Sequence, residues 1–135
     1  MALNYGWEKF FSAVYGSIGS ELTPQDRLAN SYLFDIIHVR REDVPSEEIW
    51  KRIQKLARAV TSKPAKQAEG SVKATTSEMS NEEAAKWLQE IVSIFNEIAE
   101  AYGTASSSTL ENGVRRGVRR AVEEYSEVIR KLSNE

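Results

Sequence analysis

The sequence predicts an all-α fold, a helical bundle of about five helices in which three shorter N-terminal helices pack on a long C-terminal antiparallel helical hairpin. Residues 80–102 place apolar side chains at alternating intervals of four and three, the spacing of a helix that packs along its whole length. Residues 110–132 have similar spacing, and a short Ser-rich loop joins the two stretches. Several helix-start signals in the N-terminal half complete the prediction.

The first helix is predicted from about Asn4 to Ile18, before Gly19 and Ser20. Its aromatic-rich face could mark a binding surface, but aromatic side chains also dominate the burial of small cores. We therefore expect this face to point into the core. The face consists of Leu3, Trp7, Phe10, Phe11, Val14 and Ile18.

The second helix is predicted from Thr23 to about His38. Thr23 suits the capping position, Pro24 the first helical position and Asp26 the first turn. We expect this helix to be the most enclosed of the N-terminal half, because little of its circumference is polar. Its apolar residues are Leu28, Ala29, Tyr32, Leu33, Ile36 and Ile37, with Phe34 and Val39 outside the main face.

The third helix is predicted from Pro45, with two acidic residues in its first turn. Apolar residues at intervals of four and three form a core-facing strip as far as Val60. Basic residues occupy the other side, and an acidic start with a basic end suits the helix dipole. These basic residues are Lys51, Arg52, Lys55 and Arg58.

Residues 61–79 are small, polar and Lys-bearing. This composition predicts a flexible or loosely docked linker between a three-helix part, residues 1–60, and the hairpin, residues 80–135, within one domain. A long unstructured connection is unusual in a compact domain. The linker would therefore be either functional or the boundary between two parts of the architecture. Residues 70–79 could add a short extended or helical piece, which the composition leaves open.

The hairpin begins at a capping box formed by Ser80 and Glu83, and Gly103 suits the end of its first helix. At 1.5 Å per residue, each hairpin helix spans about 33 Å and each earlier helix about 22 Å. Three short helices cannot cover both ends of the hairpin, and an uncovered apolar seam is an interface. We therefore expect a homodimer or other small oligomer, with another protein as an alternative partner. The interface candidates are Leu88, Ile91, Phe95, Ile98, Tyr102, Val118, Tyr125 and Val128.

Composition and motifs favour a non-enzymatic protein without a cofactor. The chain has no cysteine, one histidine and a net charge of −2, and it shows no Gly-rich phosphate loop or nucleophile motif. Asp35 and His38 have metal-ligand spacing on a helix, but a di-iron bundle needs a second such pair. No signal peptide or membrane span is evident, so we expect a cytoplasmic protein. A small helical enzyme is the least favoured of the three functional hypotheses.

The second hypothesis is nucleic-acid binding by basic residues of the last helix and the linker. Each arginine strip of that helix has a glutamate four positions away, which favours a self-paired, solvated face. The neighbouring helix is acidic and would repel phosphates. Nucleic acid is therefore an unlikely partner. The residues concerned are Arg115, Arg116, Arg119 and Arg120, with Lys63, Lys66 and Lys73.

The chain contains the segments RLANSYLFDIIHV, DVPSEEIWKRIQKL and MSNEEAAKWLQEIVSIF. In their apolar spacing and helix starts, these segments are similar to stretches of small, uncharacterised bacterial all-helical proteins. The resemblance covers about Trp7 to Tyr102. It implies a helical fold, and it implies no activity and no functional residue.

Overall fold

A computed structural model of the protein describes residues 2–15, 22–65, 70–104 and 123–131. Within these ranges the regular structure is entirely helical, with no strand, which confirms the all-α class. Residues 123–131 form the last described helix, α6. Two 3-10 turns, Ile36–His38 and Arg41–Asp43, lie between the second and third α-helices. The preceding α-helices are α1 (Ala2–Tyr15), α2 (Pro24–Phe34), α3 (Glu47–Val60), α4 (Ser71–Thr76) and α5 (Asn81–Thr104).

The helix starts follow from side chains that cap free backbone N–H groups. The Thr23 hydroxyl accepts a hydrogen bond from the Asp26 N–H at 3.1 Å, and the Ser80 hydroxyl accepts one from the Glu83 N–H at 3.0 Å. Both predicted starts are thereby confirmed. The start of α3 was predicted two residues too early: the first helical residue is Glu47 and not Pro45, because the Ser46 hydroxyl caps the helix.

The core is organised around α5, against which α1 and α2 make the most extensive contacts. Phe95 of α5 meets the aromatic residues of α1. The Trp7 and Phe11 ring centroids are 4.9 Å apart, and those of Phe11 and Phe95 are 6.1 Å apart. Phe10 and Val14 are completely buried. The expectation that the aromatic face of α1 points into the core is therefore confirmed for the described side chains.

Residues 70–79, for which the composition left a short extended or helical piece open, contain a helix. Ser71–Thr76 form α4, which packs on α2 and α3. The Thr75 hydroxyl donates to the Ser71 carbonyl oxygen at 2.6 Å and accepts from the Lys63 N–H at 2.9 Å, so it joins α4 to the end of α3. Small side chains reach the core here without a broad apolar stripe. The buried residues of this segment are Val72, Ala74, Thr75, Thr76 and Met79.

The second helix is shorter than predicted. It ends at Phe34, and after Asp35 the chain continues as a 3-10 turn. A 3-10 turn has three residues per turn instead of 3.6, so the side chains that follow rotate away from the α-helical positions. Ile36 and Val39, three residues apart, are buried. Phe34 is 68% exposed and Ile37 49%, so the expectation of a closely enclosed helix is wrong at this end.

Gly6 brings α1 close to the 3-10 turn Arg41–Asp43. A Cβ atom at Gly6 would lie 2.1 Å from the Asp43 carbonyl oxygen, which is less than any van der Waals contact allows. Asp43 is itself fixed, since its carboxylate accepts a hydrogen bond from the Arg40 N–H at 2.8 Å. The glycine is therefore required for the backbone contact between these two elements.

The C-terminal half is described in part. α5 runs through Gly103 to Thr104, so the predicted end at Gly103 is wrong. The loop that follows and the first half of the predicted last helix lie outside the described residues. In α6, Tyr125 and Ile129 are buried in the same core as α5. Among the described residues, no helix is long and apolar enough to cross a membrane.

Candidate interaction surfaces

Most of the predicted interface residues lie in the core of a single chain. Leu88, Ile91, Phe95 and Ile98 have no exposed surface, and Tyr125 is almost completely buried. The remaining candidates differ: Val128 is partly buried against this core, whereas the Tyr102 side chain and all of Val118 lie outside the described residues. Between residues 84 and 99 the apolar stripe of α5 is covered by other helices of the same chain.

Large exposed apolar side chains occur elsewhere. Among the described residues they are Tyr5, Leu22, Phe34 and Ile37, which are between 39% and 68% exposed. We call these four residues the apolar surface. They come from α1, from the residue before the Thr23 cap, and from the end of α2 with the turn that follows.

The four residues line two grooves. Leu22 and Phe34 line one groove, of about 300 Å³, whose remaining lining comes from α1, α2 and Asp35. Tyr5 and Ile37 line a second groove, of about 460 Å³, beside the two 3-10 turns. Phe34 of the first groove and Ile37 of the second are three residues apart in the chain, on either side of Asp35.

The change of helix type at Asp35 exposes Ile37, one residue of this surface. Asp35 has φ −125° and ψ −62°, outside regular α-helical geometry. Up to Tyr32 the apolar face of α2 is buried, and this burial raises the pKa of the Tyr32 hydroxyl. Sequence analysis had placed Phe34 outside the main face. A large aromatic residue on the outer side of a helix was the signal that could have identified this surface.

Charged groups of both signs surround the apolar surface. The ammonium of Lys9 lies 5.5 Å from the centre of the Tyr5 ring. Arg40 and Glu42 line the second groove, and both are exposed. Neither forms an ion pair with another described residue. Asp35 lines the first groove. These charged residues, which form the rim of the apolar surface, can therefore pair with partner groups of either charge.

Arg52 joins α3 to α5 at a different place in the fold. Its guanidinium donates to both carboxylate oxygens of Glu90, at 2.7 and 3.1 Å, and to the Ser93 hydroxyl at 2.9 Å. It also forms an ion pair with Glu97. The hydrogen bond to Glu90 raises the pKa of Arg52 above its ordinary value, against the effect of partial burial. These contacts join α3 to α5, and the guanidinium of Arg52 is already bound to residues of its own chain.

The other residues that the sequence singled out do not form a chemical site in the described part of the chain. His38 is exposed on the 3-10 turn, and Asp35 lies at its start. No group of three or more potential metal ligands occurs among the described residues. Lys63 and Lys73 are exposed, whereas Lys66 and Arg115, Arg116, Arg119 and Arg120 lie outside the described residues.

Comparison with known proteins gave no match: no protein-family model, no curated protein sequence and no solved structure proved significantly similar to this chain.

Proposed function

We propose that the chain is a helical protein–protein interaction module that forms a homodimer through the apolar surface. The observation that carries this proposal is that the large exposed apolar residues of the described chain, Tyr5, Leu22, Phe34 and Ile37, line two grooves beside α1 and the end of α2. Exposed apolar side chains that are grouped and rimmed by polar residues are typical of interaction sites. The interface thus lies at the end of α2 and not along the buried stripe of α5.

The charges of the rim favour a second copy as the partner. In a two-fold symmetric dimer, each copy presents the same patch to the other, so the patch must complement itself. Arg40 and Glu42 are both exposed and lack an ion-pair partner among the described residues, so each can pair with its opposite on the second copy. Phe34 and Ile37 then supply the apolar centre that such interfaces need.

The double variant Phe34→Asp with Ile37→Asp tests the proposal. Analytical ultracentrifugation of the parent at high micromolar concentration should show a dimer. The double variant should dissociate at least about a hundredfold more readily, because two carboxylates would lose their water on association. Gln54→Asp, on the exposed side of α3, is the matched control and should leave the dimer intact.

A parent protein that remains monomeric at high micromolar concentration would contradict the proposal. A double variant that dimerises as well as the parent would contradict the assignment of this surface. Circular dichroism of both variants shows whether a loss of dimer reflects a loss of folding.

We further infer that residues 80–132 form the antiparallel hairpin that the sequence predicts. The inference is supported by the burial of Tyr125 and Ile129 and by the hydrogen bond that the Gln89 side chain donates to the Ser126 carbonyl oxygen at 3.4 Å. With Gln89 opposite Ser126, an antiparallel helix brings Lys86 close to Arg130, whereas a parallel one would bring Ser93 there.

Because the chain has no cysteine, cysteine pairs can test the helix direction. The variant Lys86→Cys with Arg130→Cys should be joined within one chain by a short bis-maleimide reagent. The pair Ser93→Cys with Arg130→Cys should react less. Mass spectrometry of the digested protein measures how much of each pair is cross-linked. A higher yield for the pair at 93 and 130 than for the pair at 86 and 130 would show a parallel arrangement.

A further inference from the structure

A line of exposed cations runs along the outer side of α3. Lys51, Lys55 and Arg58 are all exposed and are spaced by four and three residues, so they lie on one side of the helix. The line spans about 10 Å at the helical rise of 1.5 Å per residue. We call these three residues the basic strip.

Two of the three residues of the basic strip lack local charge compensation. None of the three forms an ion pair with another described residue. The positions three and four residues before and after Lys55 and Arg58 hold no Asp or Glu, whereas Lys51 follows Glu47 and Glu48 by four and three residues. The helix dipole explains a cation in the last turn of α3, where Arg58 lies, but it does not account for Lys55.

A groove, which we call the Trp87 groove, adjoins the basic strip at Lys55. It lies between α3 and α5, has a volume of about 460 Å³ and contains Trp87 and Lys86 in its lining. Trp87 is half-buried and packs against the core, so its indole provides a fixed apolar wall. The only acidic residue of this lining is Glu90, whose two carboxylate oxygens are already bound by Arg52. The groove therefore presents free positive charge beside an apolar wall.

We propose that the basic strip and the Trp87 groove bind an acidic peptide segment of another protein, one that carries an apolar side chain among its carboxylates. The carboxylates pair with Lys55, Arg58 and Lys86, and the apolar side chain rests on Trp87. Charge complementarity sets the orientation and the rate of association, and apolar contact in the groove adds affinity. This surface is on α3 and α5, so the proposal does not depend on the homodimer.

The short length of the basic strip favours a peptide over a nucleic acid. Its three cations span about 10 Å at the helical rise. The electrostatic footprint of a nucleic-acid site is instead a basic patch or stripe that extends over a face or along a helix.

Fluorescence anisotropy can test the proposal with a short fluorescein-labelled peptide of glutamates around one central leucine. The parent should bind this peptide at low salt, and binding should weaken as salt is added. The variant Lys55→Gln with Arg58→Gln should bind about tenfold more weakly, because it loses two charge contacts. The matched control Lys73→Gln with Lys131→Gln removes two exposed charges elsewhere and should bind like the parent.

Peptide variants separate the two parts of the surface. A peptide with serine in place of leucine should bind about threefold more weakly, since it loses the contact with Trp87. The proposal is overturned if the parent does not bind the acidic peptide at low salt, or if both protein variants bind it equally. It is also overturned if single-stranded or duplex oligonucleotides bind more tightly than the peptide. If the variant Lys55→Gln with Arg58→Gln no longer forms the dimer, the proposal is overturned as well, because the basic strip would then be a contact between two copies of the chain.

Discussion

The middle of α5 and the end of α2 have similar apolar spacing but opposite environments. In α5 the spacing continues through a regular helix, and Leu88, Ile91 and Ile98 are completely buried. In α2 the helix ends at Phe34, and Ile37, which the spacing assigns to the main apolar face, is left exposed. The comparison shows that apolar spacing predicts burial only while the helix geometry that underlies it continues.

The partners of the two regions also differ. α5 is in contact with helices on several sides, whereas the end of α2 is held by the short 3-10 turns and by α1. The backbone contact at Gly6 fixes the second of these turns against α1. The first turn, which contains Ile37, contacts both α2 and α1. The exposed position of Ile37 is therefore determined by these contacts as well as by its own sequence.

The largest expected effect is at the centre of α5. Ile91→Asp would bury a carboxylate without a partner and should lower the free energy of unfolding by at least about 4 kcal/mol. Phe34→Asp is the matched control. It introduces the same carboxylate at an exposed position and should change the free energy of unfolding by about 0.5 kcal/mol or less. Urea denaturation of each variant measures both values, at a protein concentration at which the parent is monomeric. Equal effects in the two variants would contradict the comparison.

A smaller effect is expected at the backbone contact beside the apolar surface. Gly6→Ala should lower the free energy of unfolding by about 2 kcal/mol, because the added methyl group meets the Asp43 carbonyl oxygen. An alanine in a helix interior normally gains up to about 1 kcal/mol over glycine, so a loss would identify the contact. Gly70→Ala has no atom within 4 Å of the new Cβ and should change stability by about 0.5 kcal/mol or less. A stabilising Gly6→Ala would show that α1 lies farther from Asp43.

Much of the fold could be predicted because local signals and burial agree in its long helices. Thr23 and Ser80 cap helices as their sequence positions indicate. The apolar stripe of α5 is buried as its spacing predicts. Such elements carry enough information in their own sequence to be recognised without knowledge of their neighbours.

The features that were missed or left open depend on distant parts of the chain. Four of the six residues of α4, Ser71, Val72, Thr75 and Thr76, have weak helix propensity, and α4 packs on α2 and α3. No glycine or proline marks the end of α2 at Asp35. Gly6 gave only a weak signal against a helix, since its role depends on the Asp43 carbonyl. The exposure of Ile37 depends on the change of geometry at Asp35 and could not be predicted from spacing alone.

The two hydrogen bonds of the Thr75 hydroxyl have a consequence for how the chain can change in length. They join the Lys63 N–H to Thr75 and, through its hydroxyl, to the Ser71 carbonyl oxygen, so they hold the two ends of residues 64–70 close together. Closing a longer loop between fixed ends costs only about 0.6 kcal/mol for each doubling of its length. Related genes can therefore gain or lose codons here with little effect on folding, and an inserted epitope or fluorescent reporter would leave the helices in place.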